Sequence, residues 1–234
     1  MFRSILSGLA AAAIGCLILG CDSKDPNSSA SNSPTPTPAD TKETTPPLAA
    51  PTPPPARHLV FNTPKVQKGD VAVIETDFGT IKFELSDRTP KHAANFEKLA
   101  DAGFYDGTAF HRVKPGFMIQ GGDPNTLGTD TTKYGQGDPG WTVPGEFNDT
   151  KFDRGIVGMA RSSDPNSAGS QFFIVVAPAA FLNKQYTAFG KVISGMDAVD
   201  KIVQVPTVGG QTDQVIDISK TRIKSVKIVH PGGK

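Results

Sequence analysis

From Val71 onward the chain alternates apolar and polar residues, a pattern typical of a β-strand with one buried face. The runs VAVIET and GTIKFEL both show it, and in the second run Ile81, Phe83 and Leu85 alternate with polar or charged residues. A turn-forming stretch, Asp77-Phe78-Gly79, lies where the two runs meet. The pattern therefore predicts a β-hairpin that buries one of its faces.

A spacing of three to four residues replaces this alternation at two places and predicts two helices. The first begins at Thr89-Pro90, with threonine as the N-terminal cap and proline at the first position, and ends at Gly103. The second begins at Ser194 and Asp197, which have the spacing of a capping box. The apolar faces consist of Ala93, Phe96, Leu99 and Ala100, and of Met196, Val199 and Ile202 or Val203.

Short apolar runs fill the rest of the chain between and after these helices. They read GIVGMA, SQFFIVV and TAFGKVI, and Ile223, Val226 and Ile228 predict a last strand. Many short strands with two separated helices indicate a mainly β fold, an antiparallel sheet closed or nearly closed with helices at its ends. We expect one domain over residues 66–234.

Charge and composition exclude one class of function. The 234 residues carry 24 basic and 23 acidic side chains, a formal net charge of +1. No broad positive field is available to gather nucleic acid, so nucleic acid is not an expected partner.

The first 20 residues predict a targeting signal. One arginine precedes an apolar run, Ile5 to Leu19, that is too short for a comfortable membrane span but suits a secretory signal. The ending Ile18-Leu19-Gly20-Cys21 resembles the lipobox of bacterial lipoproteins, which implies lipidation at Cys21. Cys16 is a competing site that would shorten the apolar run, and an ordinary cleaved signal is the other alternative.

Residues 21–65 predict a linker. Between Asp22 and Arg57 the chain is rich in proline, serine and threonine and has almost no large apolar residues, so it cannot bury enough surface to fold. Repeated Thr-Pro and Pro-Pro steps favour a semi-stiff polyproline spacer, with a ligand for an SH3-like partner as the alternative. Signal and spacer together predict an extracytoplasmic domain anchored by lipid to a bacterial membrane, on its periplasmic face.

Several common chemistries do not fit the folded part. Both cysteines lie in the signal, which excludes disulfides and cysteine nucleophiles. Ser170, in AGSQF, lacks the glycine pattern of a hydrolase nucleophile. The scattered histidines do not have zinc spacing, and the calcium-like start at Asp123 has Tyr134 where a bidentate glutamate should stand. We expect neither a metal nor a cofactor.

Three remaining segments place polar residues in apolar surroundings: FHRVKPGFMIQGGD from Phe110, GSQFF from Gly169 and AFLNKQYTAFG from Ala180. With GMA and its polar loop between the first and the second of them, these segments resemble, in order and spacing, the signature segments of cyclophilin-type peptidyl-prolyl cis-trans isomerases. The resemblance covers about Val71 to Val229. It implies a closed eight-stranded antiparallel β-barrel capped by two helices, with the active groove on its outer surface.

The resemblance also implies the site residues. Arg112 is the implied catalytic residue, and Gln120 the amide that holds the substrate backbone. Phe181 stands where some relatives have tryptophan, so weak cyclosporin binding is expected. Tyr186 stands where many relatives have histidine, but it still offers a hydroxyl and a ring, so catalysis is expected to survive. The remaining implied substrate-binding residues are Phe117, Met118, Ala160, Arg161, Phe173 and Leu182. His111, beside the arginine, is interpreted as a structural histidine with satisfied hydrogen bonds.

The predicted function is isomerisation of X-Pro bonds during the folding of exported proteins, by a monomer whose partners are proline-containing polypeptides. Two alternatives stay open. The groove could bind proline-containing segments as a tethered chaperone without needing catalysis, or the tether could place a surface protein of structural role. A pure binder has no need for the cation at Arg112, which favours the enzyme. The loop from Pro124 to Pro144 is a candidate for further partner contacts.

Overall fold

The computed structural model describes residues 66–210 and 212–231. The predictions for the signal, Cys21 and the linker therefore lie outside the described residues and stay predictions. Eight strands form one sheet: β1 (Val71–Thr76), β2 (Gly79–Leu85), β3 (Arg112–Lys114), β4 (Met118–Gly121), β5 (Ile156–Met159), β6 (Phe172–Val175), β7 (Ala188–Ser194) and β8 (Ile223–Val229). Two α-helices, α1 (Pro90–Asp101) and α2 (Met196–Ile202), accompany them.

Short 3-10 helices occupy several connections in the described chain: Pro124–Leu127, Thr131–Lys133, Ala180–Leu182 and Ile218–Thr221. Among the described residues no helix is long and apolar enough to span a membrane.

All strand pairs are antiparallel, in the order β3-β4-β6-β5-β7-β2-β1-β8. The predicted hairpin is confirmed: β1 and β2 pair with Ile74 opposite Ile81 and Thr76 opposite Gly79. The Thr76 hydroxyl donates to the Gly79 carbonyl (2.7 Å) and accepts from the Phe78 amide, which fixes the turn. A mainly β fold with eight strands and two helices is thus confirmed.

The predicted closure of the barrel is not confirmed. Strands β3 and β8 stand at the two ends of the order, so the sheet is an open, curled half-barrel. The segment before β3 and the start of β8 nevertheless meet in a single bridge between Ala109 and Arg222, and the Ile223 amide donates to the Thr108 carbonyl (2.7 Å). These contacts hold the edges near each other without forming a regular ladder within the described chain.

Aromatic rings fill the space between the sheet and α1. Phe96 of α1 stacks on Tyr105 and meets Phe83, Phe172 and Phe189 at centroid distances of 5.3 to 5.4 Å. All five rings are fully buried. The predicted core positions of the hairpin and first helix are therefore confirmed, because the two apolar faces pack against each other.

Helix α1 begins at Pro90 as predicted, but its capping differs. The Thr89 hydroxyl does not cap the helix; it donates to the Ser86 carbonyl (3.4 Å). Glu146, far away in sequence, instead accepts hydrogen bonds from the amides of Lys91 (3.1 Å) and His92 (2.9 Å). A carboxylate at this end satisfies free amides and complements the helix dipole.

The capping box predicted for α2 is wrong. Ser194 ends strand β7, and the N-terminal cap is Gly195, in the left-handed region at φ +89. A Cβ at this position would overlap the carbonyl oxygen of Thr80, so the close approach to β2 requires glycine. Contact with the neighbouring strand, and not local capping, decides where this helix begins.

Candidate active site

A surface pocket of about 220 Å³ opens beside strand β3. Strands β3, β4 and β6 contribute to it, together with the end of β5 and the segment between β6 and β7. Its lining residues are Arg112, Phe117, Met118, Gln120, Ala160, Arg161, Phe173, Leu182 and Tyr186. The structure thus brings together the predicted site residues with the exception of Phe181.

Arg112 and Gln120 stand directly opposite each other in the β3–β4 pair, which places both side chains on the same face of the sheet. Arg112 is about one third exposed, and its Nη2 donates to Asp213 Oδ2 (3.4 Å). Lys114 Nζ donates to the same oxygen (3.1 Å). Asp213 therefore orients the guanidinium from outside the pocket, a role that the sequence did not reveal.

Buried apolar side chains form the wall next to this cation. Met118, Phe173 and Leu182 are each at most 5% exposed, although they line a surface pocket. They belong to a small apolar cluster that is separate from the main core. Within it the Phe173 ring lies between Phe152 (5.7 Å, stacked) and Tyr186 (5.8 Å, edge-on), which fixes the shape of the pocket.

The Gln120 amide is held by a second glutamine. Gln120 Nε2 donates to Gln171 Oε1 (3.0 Å), and Gln171 Nε2 donates to the Gly137 carbonyl (2.8 Å). Gln171 lies within the segment GSQFF, so the motif was visible in the sequence but this pairing was not. The relay fixes the plane of the Gln120 amide at the edge of the pocket.

The Arg161 guanidinium donates its hydrogen bonds to backbone carbonyls of the protein itself. Nε and Nη2 both donate to the Gln185 carbonyl (3.0 and 2.9 Å), and Nη1 donates to the Ser162 carbonyl (2.8 Å). The guanidinium also lies 4.7 Å from the centroid of the Tyr186 ring, within range of a cation–π contact. Arg161 therefore ties the segment that carries Tyr186 to the end of β5.

Phe181 lies outside the pocket lining and is 69% exposed. Its ring centroid is 5.3 Å from that of Phe117, so it stands at the rim. A substrate extending past Phe117 would meet this ring, whereas one confined to the pocket would not.

A second groove of about 390 Å³ continues from the pocket and shares Gln120, Ala160 and Arg161 with it. Residues 135–138, inside the loop from Pro124 to Pro144, line its far side. Asp123 anchors this loop, because its carboxylate accepts hydrogen bonds from the amides of Asn125 (2.8 Å) and Gly135. That carboxylate is committed to backbone amides, and the described residues contain no cluster of acidic, histidine or cysteine side chains suited to a metal.

The interpretation of His111 as a satisfied histidine is wrong. The side chain is buried, and neither ring nitrogen has a hydrogen-bond partner. Burial lowers the pKa of His111 to about 4; the charge of Asp123 and the nearby backbone of Ala109 oppose this shift, and the charge of Arg112 adds to it. The imidazole is therefore neutral at physiological pH and adds no second cation beside Arg112.

This burial predicts a loss of stability in acid. Between pH 6.5 and 4 the unfolded chain binds a proton on His111 that the folded domain excludes, so the free energy of unfolding falls as the pH falls. The steepest contribution is about 1.4 kcal/mol per pH unit. Urea unfolding of the wild type and of His111→Phe at several pH values measures it. The free energy of unfolding should change more steeply with pH in the wild type than in His111→Phe.

His92 provides an internal reference for this comparison. Burial also lowers its pKa, against the opposing effect of Glu146, and it is present in both proteins. Only the difference in slope between the two proteins therefore reports on His111. Equal slopes would contradict the prediction.

Comparison with known proteins agrees with this geometry. Residues 71–228 match the model of the family described as cyclophilin type peptidyl-prolyl cis-trans isomerase/CLD. A probable peptidyl-prolyl cis-trans isomerase of Brucella suis is 49% identical over 139 residues, which cover 57% of this chain and 71% of the relative. A peptidyl-prolyl cis-trans isomerase of Acinetobacter baylyi is 42% identical over 161 residues, 66% of this chain and 83% of that one.

A solved structure shares both fold and sequence. The crystal structure of a Cryptosporidium parvum cyclophilin type peptidyl-prolyl cis-trans isomerase, determined in the presence of the dipeptide Ala-Pro, has a TM-score of 0.60 and 35% identity. The match covers 69% of this chain and 99% of that chain. With its pocket, its fold and these matches, the chain belongs to the cyclophilin-type peptidyl-prolyl cis-trans isomerases.

Proposed function

We propose that this isomerase rotates X-Pro bonds of exported proteins during their folding, with Arg112 as the catalytic residue. The observation that carries the proposal is the position of the Arg112 guanidinium, paired with Asp213, beside a small apolar pocket. Support for proline as the occupant comes from the Cryptosporidium parvum relative, whose crystal structure was determined in the presence of Ala-Pro.

The chemistry explains the need for a cation. An X-Pro amide resists rotation because the nitrogen lone pair is shared with the carbonyl, and the barrier is about 18–20 kcal/mol. In the twisted transition state the lone pair localises on the prolyl nitrogen, which becomes a hydrogen-bond acceptor. A guanidinium aimed at this nitrogen stabilises the twisted state more than either planar isomer, and this difference accelerates the rotation. Arginine suits this role because its guanidinium carries several donors in a rigid, planar arrangement.

The other pocket residues hold the substrate while the bond turns. Phe117, Met118, Phe173 and Leu182 offer an apolar surface to the pyrrolidine ring. Gln120, fixed by Gln171, has an amide that can pair with the substrate backbone. Neither substrate binding nor rotation of the bond requires a nucleophile or a titrating base, in keeping with the neutral state of His111.

Refolding of an exported protein with a slow X-Pro phase tests the proposed function. We expect small, substoichiometric amounts of the full-length chain to accelerate that phase in proportion to their concentration. A client variant without the critical proline is the matched control and should not respond. Reduced aggregation at stoichiometric amounts, with an unchanged slow phase, would support the alternative of a non-catalytic chaperone.

Asp213 provides a prediction about positioning. Replacement of Asp213 by asparagine removes the charge that orients Arg112, and kcat/KM should fall about fivefold, equivalent to about 1 kcal/mol. The backbone should tolerate asparagine, because residue 213 is in the left-handed region (φ 48), which asparagine also adopts. The loss should appear in kcat with little change in KM, as measured by isomerisation of an X-Pro peptide.

A double-mutant cycle separates positioning from general damage. If Asp213 acts through Arg112, its replacement should have no further effect in an Arg112→Ala background. An equal loss in both backgrounds would show that Asp213 matters only for the structure of its loop.

We also propose that Cys21 carries a lipid that anchors the domain to a bacterial membrane, outside the cytoplasm. The support is the sequence of the signal and the spacer that follows it, both outside the described residues. Cys21→Ala should move the chain from the membrane fraction to the soluble fraction, whereas the matched variant Cys16→Ala should stay in the membrane. Release by the Cys16 variant alone would identify the competing site, and release by neither would reject the lipid anchor.

A further inference from the structure

A groove unrelated to the active site runs along helix α1. It has a volume of about 510 Å³, and α1 together with the segment from Trp141 to Pro144 forms most of its lining. Its apolar lining residues are Val66, Pro90, Ala94, Trp141, Val143 and Pro144. The indole nitrogen of Trp141 donates to Asn95 Oδ1 (2.8 Å), and Lys98 Nζ lies over the ring, 4.4 Å from its centroid. These contacts fix the indole in place as part of the groove wall.

The chain itself leads into this groove. Val66, the first residue that the structure describes, is one of the lining residues. The residues just before it differ from the rest of the linker, because Leu59, Val60 and Phe61 are three consecutive large apolar residues. Four residues separate Phe61 from Val66, so their Cα atoms can lie at most about 18 Å apart. Phe61 is therefore confined near the groove at a high effective concentration.

We propose that residues 58–62 bind in this groove, with Phe61 against Trp141. Binding would bury the apolar side chains that the linker otherwise presents to water, and an aromatic pair has a favourable geometry beyond area alone. A bound segment would remove rotational freedom of the chain where the linker joins the domain. Binding would thereby order the residues directly before the domain, and the proposal does not depend on a lipid at Cys21.

The single tryptophan of the chain makes the proposal testable. Trp141 fluorescence and its quenching by acrylamide are measured on the full-length chain, purified in a mild detergent. Phe61→Ala should raise the quenching constant at least twofold and shift the emission to longer wavelength. Leu48→Ala, which removes an isolated apolar residue of the same linker, is the matched control and should match the wild type.

Two measurements accompany the quenching. Isomerase activity on an X-Pro peptide should be unchanged in both variants, since neither residue belongs to the catalytic pocket. Quenching is repeated over a range of protein concentrations. Equal quenching in Phe61→Ala and the wild type would overturn the proposal, and so would protection that grows with protein concentration, because a second copy would then occupy the groove.

Discussion

Replacement of Arg112 by alanine is expected to lower kcat/KM for an X-Pro peptide by about 100- to 1000-fold. Loss of one preorganised donor to a transition state typically costs this much, about 2.7–4 kcal/mol. The domain should stay folded, since the Arg112 side chain is about one third exposed and its partner Asp213 keeps its ion pair with Lys114. The loss should appear in kcat and kcat/KM equally, because the contact forms mainly in the twisted state.

Two variants make this result specific. Lys114→Ala removes the neighbouring cation, which shares Asp213 but does not line the pocket, and activity should stay within about twofold of the wild type. Arg112→Lys keeps a charge but loses the planar fork, so an intermediate rate is expected. A folded Arg112→Ala protein with wild-type turnover would reject the catalytic role and favour the proline-binding module.

The composition of the pocket could be read from the sequence because its residues lie in continuous segments. Arg112 and Gln120 belong to one continuous segment, and the register of the hairpin that it forms puts both side chains on the same face. Phe173 and Leu182 lie in short apolar runs, and the polar residues next to these runs indicate that the runs reach the surface. The resemblance to a known family then supplied the roles, which residue patterns alone would not assign.

The partners of these residues could not be predicted, because they come from distant parts of the chain. Asp213 lies 101 residues from Arg112, in a loop without a periodic pattern. Glu146 caps α1 from 54 residues beyond His92, and no local rule points to it. The burial of His111 without a partner is likewise a property of the packed domain. Local patterns specify strands and faces, whereas the polar contacts depend on the tertiary fold.

The start of α2 shows the same limit in a single residue. Ser194 and Asp197 satisfy the spacing of a capping box, but the chain needs the left-handed Gly195 to pass close to Thr80. The steric demand of the neighbouring strand exceeds the modest gain from a cap.

Replacement of Gly158 by alanine should damage stability and substrate binding together. Gly158 stands opposite Phe173 in the β5–β6 pair, and its lack of a side chain lets that ring lie against the strand. A Cβ here would overlap the Phe173 ring and lie 2.7 Å from Phe152 Cε1. Both rings are buried, but Phe173 borders the open pocket whereas Phe152 does not, so we expect the Phe173 ring to shift toward the pocket. Overpacking of this kind costs about 3 kcal/mol.

A displaced Phe173 ring takes space from the proline ring in both planar and twisted states, so KM should rise and kcat/KM should fall about tenfold or more. Gly128→Ala is the matched control: its Cβ would lie 3.5 Å from the Asn125 carbonyl, an ordinary contact, and its φ of -89 suits alanine. Urea unfolding and peptide isomerisation measure both effects.

In the double variant Gly158→Ala/Phe173→Leu, the smaller leucine side chain should recover part of the lost stability, because it relieves the overlap. If Gly158→Ala behaves like the control, the pocket wall does not depend on the fit of Phe173 against β5.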